Sequence, residues 1–143
     1  MEFYAVAAVP APRSFLHGYV RIDTLDRLCA SIERVVSHEG ERGEIYCVWG
    51  QFRVHREGLC DGVRFTLPHC PNALQWTVTA EQSAAGGGVL VHCSINRRRH
   101  DLDFVASIDQ FVQDWKRGLE GELARLRAEG APRRGPGSMP WFG

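Results

Sequence analysis

44-EIYCVWGQFRVHRE-57, 63-VRFTL-67, 74-LQWTV-78 and 89-VLVHCSIN-96 are four runs in which apolar and polar residues take turns. Side chains two apart on a strand share a face. The apolar sets Tyr46, Val48, Phe52 and Val54; Val63, Phe65 and Leu67; Leu74, Trp76 and Val78; and Val89, Val91, Cys93 and Ile95 therefore converge on one dry side. The opposite parity collects Gln51, Arg53, His55, Arg64, Thr66, Gln75, Thr77, Thr79, His92, Ser94 and Asn96. The links are short and rich in turn residues: Asp61-Gly62, Pro68 with Pro71-Asn72, and the glycines before Val89. Short links favour antiparallel neighbours. A four-stranded meander over 44–57, 63–67, 73–81 and 89–96 follows, dry on one face and polar on the other.

The flanks supply what covers the dry face. Residues 2–9 form an apolar run closed by Pro10 and Pro12, which predicts a strand that joins the same sheet, covered on both of its faces. Residues 13–22 read as a connector. Asp23 or Thr24 offers an N-cap, and Leu25, Leu28, Ile32, Val35 and Val36 then recur at helical spacing, with Gly40 as the stop. Asp101 or Asp103 caps a second, longer helix whose stripe is Phe104, Ile108, Phe111, Val112, Trp115 and Leu119, with its far end a solvated mixture of charges. The expected fold is α+β, in the order β-α-β-β-β-β-α: an N-terminal strand and a four-stranded antiparallel meander, with two amphipathic helices on one face. Residues 1–129 form a single domain, and 130–143, rich in Gly, Pro and Arg, a flexible tail.

Composition narrows the function classes. The 143 residues carry 17 basic and 17 acidic side chains, so a general attraction to nucleic acid or to an anionic membrane is not indicated. No run approaches the roughly 20 apolar residues of a membrane span, and no signal peptide is visible, which places the protein in the cytoplasm. The five cysteines lack a framework spacing and read as reduced thiols; Cys29, Cys47 and Cys93 stand where a small hydrophobe would serve.

No motif carries chemistry outright. His69-Cys70 and His92-Cys93 invite a metal, but no paired ligand spacing exists, and adjacent strand residues face opposite ways. Neither a metal nor a cofactor is expected. Cys70 beside His69 is the better of two turn cysteines for a nucleophile, yet sequence adjacency does not make a dyad. An enzyme is therefore less expected than a binding protein. Arg97, Arg98 and Arg99 precede a helix start and can grip an anion, against the ordinary alternative of a solvated loop balanced by Asp101 and Asp103. The polar sheet face sets Arg53, His55, Arg64, Gln75, Thr77, His92 and Asn96 on one side. With Arg97, Arg98 and Arg99 these are the candidate residues for a ligand or partner. RNA recognition by such a sheet wants exposed aromatics for stacking, and only Trp49 shares this parity, so nucleic acid is not expected.

Two functions follow from this. The first is a non-enzymatic module that works through protein contact, as a homodimer or an accessory subunit. The alternative is a small-molecule-binding protein, or weak enzyme, with an apolar pocket between the sheet and the C-terminal helix. In element order alone, a long helix laid across a curved sheet resembles ligand-binding helix-grip folds. The aromatics Phe52, Phe65, Trp76, Phe104, Phe111 and Trp115 would line such a pocket, or fill it as an ordinary core.

Overall fold

In the computed structural model, which describes residues 1–81, 87–96 and 101–130, eleven elements follow one another. They are β1 (Glu2–Ala7), α1 (Arg13–Tyr19), a 3-10 turn (Ile22–Thr24), α2 (Leu25–Leu28) and β2 (Ile32–Glu39). After these come β3 (Arg42–Cys47), β4 (Gly50–Leu59), β5 (Gly62–Thr66), β6 (Gln75–Glu81), β7 (Gly88–Ser94) and α3 (Leu102–Gly130). The class is α+β as expected. The seven strands make one antiparallel sheet in the order β1-β7-β6-β5-β4-β3-β2. The N-terminal strand does join this sheet, beside β7. Only one of its sides is covered: Ala5 and Ala7 are buried, while Tyr4 and Val6 stay exposed.

Two expectations fail, each for a local reason. The helix expected from residue 24 to 40 is only the single turn of α2, and residues 32–39 are a strand. Register shifts between Ile32 and Arg34 and between Val35 and Ser37 break the two-residue alternation of β2. Ile32, Val35 and His38 consequently pair with the inward residues Cys47, Ile45 and Gly43, and recur every third position as helix residues would. Gly40, at φ +61, closes a hairpin between Glu39 and Arg42 instead of capping a helix. Conversely, the connector at 13–22 holds α1 and the 3-10 turn.

The long strand expected over 44–57 is two strands. Cys47 pairs with Gly50, so the chain reverses at Val48-Trp49, with Gly50 at φ +115. Reversal exchanges the parity before the turn. Ile45 and Cys47 are buried, whereas Tyr46 and Val48 are exposed, opposite to the alternation counted through the turn.

One face of the sheet carries the core. α3 is capped by Asp101, whose carboxylate accepts the Phe104 N–H at 2.8 Å. Its buried stripe is Ile108, Phe111, Val112, Trp115, Leu119 and Leu123. Aromatic side chains of α3 reach Phe65 on β5, Trp76 on β6 and Trp49 between β3 and β4, while its far half meets β1. Strands lie about 4.8 Å apart and a helix is only about 10 Å wide, so these contacts require the sheet to curl around α3.

The far half of α3 is not merely solvated. The Glu120 carboxylate accepts the Ala8 N–H at 2.9 Å, Glu122 takes the Tyr19 hydroxyl, and Arg127 donates to the Pro10 carbonyl at 3.2 Å. Farther up the helix, Ser31 donates to Asp114 at 2.5 Å. Gly118 lets the helix approach the α2 backbone: a Cβ there would lie 1.9 Å from the Leu28 carbonyl oxygen.

Candidate functional site

Where α3 crosses the middle of the sheet, four rings meet. Phe65 and Trp76, cross-strand partners on β5 and β6, stack with centroids 5.3 Å apart. Phe111 stands edge-on to Trp76 at 4.9 Å and 78°. Trp115 lies 6.3 Å from Trp76 and 6.2 Å from Phe65. None of the four exceeds 1% exposure. The period-two pattern of the strands and the helical period of α3 deliver them to one place.

Trp49 closes this cluster from the side. The turn carries its ring onto α3, 5.1 Å from Phe111 and 6.2 Å from Phe104. Its indole N–H donates to the Ser107 hydroxyl at 2.8 Å, which in turn donates to the Phe104 carbonyl at 2.6 Å. Val48 beside it is 60% exposed, and Leu102 at the start of α3 is 84% exposed. Register puts the β3–β4 turn, the β5–β6 link and the start of α3 at the same end of the sheet. At that end a cavity of about 250 Å³ is lined by Leu67, Pro68, Cys70, Ala73 and Leu74, among others.

The indole N–H groups of Trp76 and Trp115 have no hydrogen-bond partner among the described residues, and both nitrogens are buried. A buried donor left unsatisfied costs about 1–3 kcal/mol. The other buried polar side chains among the described residues are Thr24 and Ser31, and both are bonded, to the Tyr19 carbonyl and to Asp114.

The candidate residues of the polar face lie on the opposite side of the sheet. Register draws Arg64, Gln75, Thr77 and His92, with Ser94, around a shallow cavity of about 110 Å³. Two of them have carboxylate partners: Arg64 bonds Glu57 at 3.1 Å, and His92 bonds Glu2 while Tyr4 stacks on its ring at 4.6 Å. Arg53 and His55 stand on the neighbouring strand β4. Arg53 lines a separate cleft of about 590 Å³ with Ser37, Glu39, Arg42 and Glu44. His55 sits opposite Arg42; partial burial lowers its pKa, and the charges of Arg42, Arg53 and His69 lower it further. Asn96 lies beyond β7, exposed, its backbone N–H on the Asn72 carbonyl at 3.0 Å. Arg97, Arg98 and Arg99 lie outside the described residues, as does nearly all of the 130–143 segment.

His92 and Cys93 face opposite sides, the thiol buried and the ring half-buried. Among the described residues no three His, Cys, Asp or Glu side chains gather to hold a metal ion. No helix among them is long and apolar enough to cross a membrane. Trp49 and Ser107 were absent from the expected site. The one local hint was Gly50, since a glycine inside a strand run often marks a bulge or bend, and the smooth alternation around it masked the reversal.

No family model matches the sequence, and no curated protein matches it significantly. Its fold does have solved relatives. Protein XoxI from Bacillus cereus superposes with a TM-score of 0.64 at 11% identity, over 88% of this chain and 97% of that one. A START superfamily protein from Mycobacterium smegmatis gives 0.62 at 8% identity, over 88% and 97%. Ara h 8.0201 gives 0.57 at 17% identity, over 87% and 97%. At such identities the likeness is one of fold alone: an antiparallel sheet closed around a C-terminal helix.

Proposed function

We propose that this protein binds a small, mostly apolar molecule between the inner sheet face and α3, at the end closed by Trp49. The observation that carries this is the aromatic cluster of Phe65, Trp76, Phe111 and Trp115, with the Trp49 ring on a two-residue turn packed against Phe111 at its edge. Small-molecule sites are concave, lined by aromatic and aliphatic groups with few polar ones. The START-like fold supports the same reading. A module working through protein contact or self-association has less behind it. On the outer face Arg64 is bonded by Glu57 and His92 by Glu2, and these groups carry no proposal.

Admission of a ligand requires Trp49 to leave Ser107. Opening breaks one hydrogen bond, worth about 1 kcal/mol net, and two aromatic contacts, worth roughly 0.5–1.5 kcal/mol each. The sum, about 2–4 kcal/mol, puts the open form between about 0.1% and about 3%. Binding is then slowed by that fraction, and removal of the ring removes the penalty.

Titration with the neutral fluorophore N-phenyl-1-naphthylamine tests this. Saturable one-to-one enhancement is expected, with association at least about tenfold faster in Trp49→Ala. Absence of saturable binding to the native chain would overturn the proposal.

A further inference from the structure

Phenylalanine already serves in this cluster at positions 65 and 111, so a ring at the sheet–helix contact does not itself demand an indole. Trp76 and Trp115 nevertheless bring a donor each, and neither donor has a partner among the described residues. The third described tryptophan behaves differently: Trp49, at the rim, has Ser107. An indole N–H can only donate. What would satisfy it is an acceptor, and the buried polar side chains of the described core are already committed elsewhere.

We infer that Trp76 and Trp115 are specificity residues that select a ligand carrying a neutral oxygen acceptor, a ketone or ether, on a flat apolar skeleton. This rests on the proposed site between sheet and helix. The flatness follows from the rings that would flank the ligand, since aromatic faces pack best on planar partners in offset or edge-on geometry. Neutrality follows from the lining. No cationic side chain is among the buried residues there, and a carboxylate brought among these rings would lose its hydration without a counter-ion. A pure hydrocarbon would fill the same space and leave both donors unsatisfied. Discrimination of this kind, in which a buried polar group is paired by one ligand and orphaned by its analogue, is stronger than discrimination by size.

Fluorene and 9-fluorenone share a skeleton and differ by one carbonyl. The native chain, labelled with ¹⁵N in its tryptophans, is titrated with each. The ketone is expected to bind at least about tenfold tighter, and to shift the Trp76 or Trp115 indole proton downfield where fluorene does not. Trp76→Phe and Trp115→Phe should each reduce the preference. Should either fail to fold, 3-benzothienylalanine at the same position replaces N–H by sulfur with the shape kept. Equal affinities for the two probes, or a ketone preference that survives both replacements, would overturn the inference and leave the apolar site standing. Binding of neither probe would remove the site as well.

Discussion

At the scale of single residues, burial and pairing set what each group can do. The Glu122 carboxyl is held down at about 2, first by hydrogen bonds from Arg125 and then by the Tyr19 hydroxyl. A depressed carboxyl contributes fully above its unfolded value of 4.5, and the contribution fades as pH falls from there towards 2. Glu122→Gln should therefore cost about 1–2 kcal/mol at pH 7 and progressively less below pH ~4.5, as urea melts across pH will show. The cysteines divide in the same terms. Burial pushes the Cys93 thiol up to about 12 and raises those of Cys29 and Cys47, whereas Cys60 is exposed. Ellman's reagent should label Cys60 first and reach Cys29, Cys47 and Cys93 only on unfolding; rapid labelling of all five would contradict the core. The burial of Cys29 and Cys93 was legible from their apolar neighbours, whereas the alternation counted through the Val48-Trp49 turn set Cys47 on the opposite side. The anchoring role of Glu122 was not, because its partner Tyr19 is 103 residues away.

At the scale of elements, α3 shows how one helix carries opposite glycine rules. Gly121 faces open space, so Gly121→Ala should stabilise by about 0.5–1 kcal/mol through helix propensity. Gly118 abuts the Leu28 backbone, and Gly118→Ala must push α3 off α2 at a cost of about 1–3 kcal/mol. Denaturant midpoints of the two variants should move in opposite directions. The stripe and N-cap of α3 were legible, since long periodic patterns leave little choice of structure. β2 was not. Its register shifts set the covered residues Ile32 and Val35 three apart, and nothing local distinguishes that spacing from a short helix. The Val48-Trp49 reversal was hidden likewise: alternation continues smoothly through a two-residue turn, while the face that each residue serves is exchanged.

At the scale of the whole molecule, a ligand that enters between sheet and helix binds only the folded chain. At a concentration 100 times its dissociation constant it should add about 2.7 kcal/mol to the unfolding free energy. Thermal melts with 9-fluorenone should show a rise in midpoint that Trp115→Phe diminishes. The α+β class, the antiparallel pairing, the buried rings and the long C-terminal helix were determined by the sequence itself, since period and turn chemistry are local properties that each segment carries with it. Local signals also marked the polar strand residues Arg64, Gln75, Thr77 and His92, which the register then gathered on the outer face. Only the tertiary structure decided that the sheet has seven strands curled around α3, that Trp49 folds inwards, and that two indoles meet in the core without acceptors among the described residues. The physical reason is one of range. Partner choice at strand edges, helix approach at Gly118 and the satisfaction of a buried N–H depend on residues tens of positions apart, whose meeting no local pattern encodes.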